Sequence, residues 1–190
     1  MAALIGFVFF GLFSPGPNVI LLTASGARFG FRATLPHLFG VVLGVGITAF
    51  ATGLGLGWLV QAVPALRIVL SLVAAGWILW IAWGLWRVGP LRQCAHERPM
   101  RLVEAVFFQW VNPKVWAVAV AATAHVHMLG PWAKATALAL TFSGVNLFVC
   151  LFWAFAGSLL STLMQDDRAR MVFMRVMAVG LAVFSVLVFL

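Results

Sequence analysis

Two short polar elements interrupt apolar stretches of this sequence, and their residue types are suited to binding an anionic group. The first is SPGPN at residues 14–18, and the second is NPK at residues 112–114. A polar residue followed by proline is typical of a helix start, because the polar side chain caps the helix and proline lacks an N–H that would stay unpaired. We therefore expect Ser14 and Asn112 to be N-caps. Each restarted helix would present unpaired N–H groups and the positive end of its dipole, which together favour a carboxylate.

Further residues near these breaks complete a candidate substrate site. Gly16 has no side chain, so a ligand could approach the backbone there. Lys114 lies deep in an apolar segment, where an ionisable residue indicates function by default, although its long side chain could instead reach an interface or a water-filled vestibule. Asn146 is the best candidate among the polar residues at similar depth, most of which would only join helices. The predicted substrate-binding residues are Ser14, Pro15, Gly16, Pro17, Asn18, Asn112, Pro113, Lys114 and Asn146.

The composition places these elements in a membrane. Of the 190 residues, 64% are hydrophobic and only 8% are charged, whereas soluble domains carry about 25% charged residues. The formal net charge of +8 does not indicate a nucleic-acid partner, because the basic residues are scattered in short loops, as they are between transmembrane helices. We therefore expect an all-α membrane protein, a single transmembrane domain over residues 1–190 with the lipid bilayer around it.

Six segments have the roughly 20 apolar residues that a helix needs to cross a bilayer. Nine of the twelve Lys and Arg residues fall in or next to the loops after the first, third and fifth segments. Arg92 is one of the nine, and it shares the loop after the third segment with Cys94. The positive-inside rule places these loops in the cytoplasm and both termini in the periplasm. The six segments are 2–25, 36–60, 65–86, 103–128, 132–160 and 171–190.

Glycine and tryptophan patterns agree with helices that pack closely in a bilayer. Gly40 and Gly44 have the GxxxG spacing that lets helices approach each other, either within one chain or between two chains. Trp58, Trp86 and Trp132 fall at the ends of predicted segments, where tryptophan is enriched at the membrane interface.

The two breaks occupy corresponding places in the two halves of the chain. Pro15 and Pro113 are 98 positions apart, in the first and fourth segments. The halves, about 1–99 and about 100–190, each contain three segments, so they must run through the membrane in opposite directions. Inverted repeats with paired broken helices indicate a transporter whose binding site lies near the bilayer midplane.

At these residues the chain resembles the LysE/RhtB family of bacterial amino-acid exporters. The matching elements are SPGPNVILL, GVVLGVGITAFATGLGLG, AAGWILWIAWGLWR and NPKVWAVAV, in the first to fourth segments. The resemblance implies six-helix secondary export of amino acids or close derivatives from the bacterial inner membrane, driven by the proton-motive force or by exchange, and it suggests a homodimer. Two departures bear on substrate identity: ATAHVHM replaces a Pro-Gln-Phe element after the fourth segment's core, and Trp77 replaces the usual tyrosine.

The positions of the acidic residues limit the kinds of substrate that we expect. None lies deep in a predicted segment, so a cationic side chain would find no carboxylate partner, which favours neutral amino acids, although backbone carbonyls can also hold cations. The alternative function is export of a metal ion or another small solute, but metal sites use clustered acids or thiols. An intramembrane hydrolase would need a buried Asp pair or a Ser/His couple. We therefore predict no enzyme activity, cofactor or metal site, and leave open a proton relay through a histidine.

Overall fold

In the computed structural model, residues 1–87, 98–163 and 166–187 are described, and they are almost entirely helical. Arg92 and Cys94 lie outside these ranges. A short 3-10 helix, Thr123–Val126, follows α7. The α-helices are α1 (Ala2–Phe13), α2 (Pro17–Phe29), α3 (Phe31–Gly53), α4 (Leu56–Ala62), α5 (Pro64–Trp86), α6 (Leu102–Val111), α7 (Pro113–Ala122), α8 (Pro131–Leu163) and α9 (Asp167–Leu187).

The lengths of these helices suit a membrane protein. Four of them, α3, α5, α8 and α9, are long and apolar enough to cross a bilayer, and α1 with α2 counts as a fifth crossing if this pair, bent by 60°, is one span. In the region of the fourth predicted segment, α6 and α7 have ten residues each. The all-helical membrane protein is therefore confirmed, while the six crossings in two inverted repeats stay a prediction.

The outer surface of the helices is strongly apolar. Phe10 is 74% exposed and Phe148 is 72% exposed. In water such a surface would drive aggregation, whereas lipid tails are as apolar as these side chains. Trp58 and Trp132 are also largely exposed near helix ends, as a ring of interfacial tryptophans would be.

Apart from the short α4, the α-helices divide into two groups, which we call the scaffold and the arm. The scaffold consists of α1, α2, α3, α6, α7 and α8, in which α3 packs on α8 and α6, and α2 packs on α8. The arm consists of α5 and α9, which pack mainly on each other. One apolar core lies within the scaffold around Leu38, Val41 and Phe142. A second core joins the scaffold to the arm through Phe108, Ile78 and Leu181.

Glycines set the closest approaches within the scaffold. A Cβ atom on Gly40 would collide with the backbone of Leu102, and one on Gly44 would lie 2.9 Å from the backbone of Val106. Because both neighbours belong to α6, the GxxxG pair of α3 serves packing within the chain. The crossing of α2 and α8 is equally close, since a Cβ atom on Gly26 or on Gly157 would collide with backbone of the other helix.

Candidate functional site

The first break, between α1 and α2, differs from the sequence expectation at its cap. Ser14 is the C-cap of α1, and its hydroxyl donates a hydrogen bond to the carbonyl of Gly11 at 3.0 Å. The N-cap of α2 is Gly16, with Pro17 at the first helical position. The prediction that Ser14 caps the restarted helix is therefore wrong, because its hydroxyl is bound to the preceding helix and Pro15 separates it from the new one.

The second break, between α6 and α7, has the predicted form. Asn112 is the N-cap of α7, and its side-chain carbonyl accepts a hydrogen bond from the backbone N–H of Lys114 at 3.2 Å. Pro113 occupies the first helical position. Asn112 is buried, so this helix start lies inside the protein.

Lys114 joins the two breaks. Its ammonium group donates hydrogen bonds to the carbonyl of Ser14 at 2.6 Å, the hydroxyl of Ser14 at 3.0 Å and the carbonyl of Pro15 at 3.2 Å. These acceptors follow the C-terminal end of α1, where the helix dipole is negative. The side chain also fills the space in front of Gly16, because a Cβ atom there would lie 2.9 Å from Nζ of Lys114. Lys114 therefore reaches the opposite break and not an interface.

Five of the predicted substrate-binding residues line one small internal cavity of about 10 Å³. This is room for about one water molecule, so the space between the breaks is closed to a substrate in this conformation. Asn146 is buried at this cavity, with 2% exposure, and its side-chain N–H₂ group has no hydrogen-bond partner among the described residues. The five are Gly16, Asn18, Asn112, Lys114 and Asn146.

An amide pair beside the breaks, formed by the half-buried Asn18 and the buried Gln109, joins the two halves, and sequence reasoning missed the Gln109 partner. The side-chain N–H₂ of Asn18 donates to the side-chain oxygen of Gln109 at 2.8 Å, and that of Gln109 donates back at 3.2 Å. Gln109 also donates to the carbonyl of Ala105 at 3.0 Å and is completely buried. The available signal was an uncharged amide in an apolar stretch, three residues before Asn112.

Two larger cavities open between the scaffold and the arm. The first, of about 890 Å³, we call the basic-loop cavity, because Arg28, Arg87 and Arg98 line it together with His37 and Glu104. The second, of about 540 Å³, we call the Lys114 cavity, and it also includes Arg67 and Phe184 in its lining. Each is large enough for a small amino acid.

An apolar layer separates these two cavities. Along α6, Glu104 lines the basic-loop cavity and Val111 lines the Lys114 cavity, while Phe108 lies between them on the same helix face. Phe108 is 1% exposed and its ring lies edge-on to that of Trp77, with 5.6 Å between the ring centres. Because Trp77 lines the basic-loop cavity, Phe108 packs behind the wall of that cavity.

The charged groups at the mouth of the basic-loop cavity are partly paired. Arg98 donates two hydrogen bonds to the carboxylate of Glu104, at 2.6 Å and 2.9 Å, and the backbone N–H of Arg101 adds a third at 2.8 Å. The bond to Glu104 raises the pKa of Arg98 above its ordinary value. This exposed pair caps α6, so Glu104 has its two oxygens engaged. Within the parts of the chain that the structure describes, no three His, Cys, Asp or Glu side chains are placed to hold a metal ion.

The histidines lie in different places. His37 is buried and lines the basic-loop cavity. His125 stacks against Phe7 with ring centres 5.1 Å apart, and His127 contacts the carbonyl of Ala124 at 2.8 Å. The structure therefore does not bring His125 and His127 to the candidate site.

Comparisons with known proteins agree with the transporter interpretation. A family model described as LysE type translocator matches residues 9–190. The chain is 29% identical over 154 residues to a cysteine/O-acetylserine efflux protein of Klebsiella pneumoniae, covering 79% of this chain and 78% of the relative. It is 28% identical over 152 residues to a Salmonella typhimurium protein of the same name, covering 77% and 76%. No solved structure matches the chain significantly.

Proposed function

The chain belongs to the LysE type translocator family, and on this basis we propose that it exports small neutral amino acids or close derivatives across the bacterial inner membrane. Relatives that cover most of its length are named cysteine/O-acetylserine efflux proteins. Both compounds in that name are small and carry no net charge on the side chain. This agrees with the preference for neutral substrates that the scarcity of deep acidic residues indicates.

The observation that carries the proposal is the contact of the Lys114 ammonium with the first break. The carbonyl oxygens of Ser14 and Pro15 are neutral acceptors, whereas a substrate carboxylate is charged and would form stronger hydrogen bonds with the same ammonium. Backbone N–H groups at the starts of α2 and α7 lie beside it and favour a negative charge. A bound carboxylate would therefore displace the first break from Lys114.

The polar groups around the small cavity suit the rest of a neutral amino acid. Asn146 offers an amide N–H₂ group that has no partner among the described residues, and Asn112 lines the same cavity. Amide groups can donate to or accept from a hydroxyl, thiol, ester or ammonium group. The remaining proposed substrate-binding residues, Ser14, Pro15, Pro17 and Pro113, shape the two breaks and set the position of their backbone groups.

We also infer that the two halves of the chain, about 1–99 and about 100–190, are inverted repeats. In that scheme the broken pair α1 and α2 corresponds to α6 and α7, α3 corresponds to α8, and α5 corresponds to α9. Corresponding helices pack on each other in the pairs α3 with α8 and α5 with α9. The contacts of α1 and α2 with α8 likewise have their counterparts in those of α6 and α7 with α3. This pattern supports a two-fold axis in the membrane plane. Six crossings and periplasmic termini belong to the same proposal and rest on the apolar segments and the basic loops of the sequence.

The homodimer suggested by the family resemblance belongs to the same set of proposals. Gly40 and Gly44 do not supply its interface, since both face α6 of their own chain. An exposed apolar surface is available for it on the outside of the helices, but the same surface suits lipid equally well.

The proposal is tested by efflux from proteoliposomes that contain the purified protein. Vesicles are loaded with labelled cysteine, O-acetylserine, serine, lysine or glutamate, and release is followed with and without a proton gradient. Lys114→Ala is compared with Lys134→Ala, which removes the other helical lysine, at the start of α8. We expect release of the neutral compounds and a loss of at least about tenfold in Lys114→Ala, since hydrogen bonds to charged groups contribute about 1.5–3 kcal/mol, with little change in Lys134→Ala.

The alternatives give different results. Release of none of the amino acids by the wild type would contradict the amino-acid function, and manganese or zinc efflux would then be measured for the metal-exporter alternative. Preferential release of lysine would contradict the neutral preference. Equal losses in both lysine variants would show that Lys114 acts only through stability.

A further inference from the structure

We propose that His37 binds and releases the proton that couples amino-acid export to proton entry. This inference rests on the export function proposed above and adds the residue that carries the proton. It is drawn from the position of His37, its missing hydrogen-bond partner and the charges that share its cavity.

His37 combines burial with access to water. Its side chain is 2% exposed, on the face of α3 that packs against α6, and it lines the basic-loop cavity together with Ser25 and Trp77. The ring nitrogen Nδ1 has no hydrogen-bond partner among the residues that the structure describes. A buried polar atom without a partner is rare in native proteins and requires an explanation. A proton or a water molecule that enters from the cavity would provide one.

The neighbouring helices place charges of both signs around this cavity. Arg28 on α2, Arg87 after α5 and the Arg98–Glu104 pair at α6 all line it. On α3 itself the charged residue is Arg32, which is exposed and lies more than one turn away. Neither α7 nor α8, which also pack on α3, contributes a charge near His37. The charged residue of α7 is Lys114, which lies at the breaks. The charged residue of α8 is Lys134, which lies near Gly53 at the opposite end of α3.

Other titratable groups of the spanning helices are less suited to the role. Lys114 is already bound to the carbonyls of the first break. Cys150 is buried in the scaffold core, away from the cavity linings. His125 and His127 lie beyond α7, at the end of the molecule opposite to His37. Histidine is also the residue type whose charge changes near neutral pH.

The position of His37 provides a way to couple proton release to substrate binding. A zwitterionic substrate that passes through the basic-loop cavity brings its α-ammonium group close to His37, and two positive charges a short distance apart in a partly buried cavity repel each other. The ammonium group and a protonated His37 therefore exclude each other. When the cavity is open to the cytoplasm, substrate entry releases one proton from His37 to the cytoplasm. When the cavity opens to the other side, the substrate leaves and His37 takes up one proton there.

The test separates coupling from transport itself. His37→Gln is reconstituted beside the wild type and beside His127→Gln, which changes a histidine outside the cavities. Two reactions are measured: efflux of labelled cysteine or O-acetylserine driven by an imposed pH gradient, and exchange of the same compound across the vesicle membrane without a gradient. A pH dye inside the vesicles reports proton movement coupled to the substrate.

We expect His37→Gln to retain exchange within about twofold, and to lose gradient-driven efflux and substrate-dependent proton movement. His127→Gln should behave as the wild type in all three measurements. Retention of proton-coupled efflux in His37→Gln would overturn the inference, as would the loss of exchange together with it, since that would show a structural role. Wild-type efflux that ignores the pH gradient would also overturn the inference while leaving the export function intact. Absence of both wild-type reactions would instead contradict the export function.

Discussion

The Lys114 ammonium group lies 2.6 Å from the carbonyl oxygen of Ser14, a residue 100 positions earlier in the chain. This contact joins the end of one interrupted helix to the start of another. The acceptors are two carbonyls and a hydroxyl, so no negatively charged group among them balances the positive charge of the lysine. In the function proposed above, this contact holds the two breaks together in the absence of substrate, and a substrate carboxylate replaces its acceptors.

Substitution of Gly16 should weaken this contact without removing the lysine. In Gly16→Ala the new Cβ atom would lie 2.9 Å from Nζ and 3.0 Å from Cδ of Lys114, so the flexible side chain must move. We expect a several-fold change in the apparent KM for efflux, with normal protein levels in the membrane. Gly6→Ala is the matched control, because a Cβ atom at Gly6 meets no other atom within 4 Å. Equal KM values for the two variants would show that the position of Lys114 does not govern substrate binding.

The amide pair of Asn18 and Gln109 should contribute to stability as a unit. Asn18→Leu leaves the buried Gln109 amide without this partner, which costs about 1–3 kcal/mol, and Gln109→Leu leaves the half-buried Asn18 amide unpaired at a smaller cost. In the double variant no unpaired amide remains, so its loss should be smaller than the sum of the two single losses. The loss of stability is measured by thermal unfolding in detergent for the wild type, the two single variants and the double variant. Additive losses would mean that the two amides do not stabilise each other.

Phe108 should act as a barrier between the basic-loop cavity and the Lys114 cavity. Phe108→Ala is expected to connect them and to let protons leak through proteoliposomes in the absence of substrate. Phe142→Ala is the control, because Phe142 is also completely buried but lies in the core of the scaffold. Both variants should lose about 3–5 kcal/mol of stability. A leak of similar size in both would indicate general loosening of the bundle.

The orientation is tested with single cysteines in a variant that lacks Cys94 and Cys150. Ala2 and Arg32 are both exposed, and the distribution of basic residues places Ala2 in the periplasm and Arg32 in the cytoplasm. In intact spheroplasts, a membrane-impermeant maleimide should label Ala2→Cys and should label Arg32→Cys only after the membrane is opened. The reverse labelling pattern would show that the protein has the opposite orientation in the membrane, and it would reverse the direction of each transport step proposed above.

The positions of the breaks could be predicted from sequence because proline acts locally. Asn112 before Pro113 caps α7 as expected, whereas the mid-segment position of the lysine indicated a functional role but not which groups it would contact. The cap of α2 could not be decided in the same way. Ser14 and Gly16 each precede a proline, which disfavours helix at both positions, and the choice between them depends on the bond from Ser14 to Gly11.

Long-range pairing was beyond the reach of a single sequence. Gln109 is 91 residues from Asn18, and nothing in the local pattern of α6 states which helix its side chain will meet. The two larger cavities are similarly a property of the space left between the scaffold and the arm. The position of His37 beside one of them follows from the way α3 packs on α6, which depends on Gly40 and Gly44.

The crossing of α2 and α8 limits how this protein can change shape. At Gly26 and Gly157 backbone lies directly against backbone, so no side chain is available there to rotate and accommodate a shift. Such a close backbone contact resists sliding of one helix along the other. The contact between the scaffold and the arm, in contrast, is made mainly of apolar side chains, which can exchange neighbours. Bending during a transport cycle is thus expected where α5 and α9 meet the rest of the molecule, with the α2–α8 contact as its fixed frame.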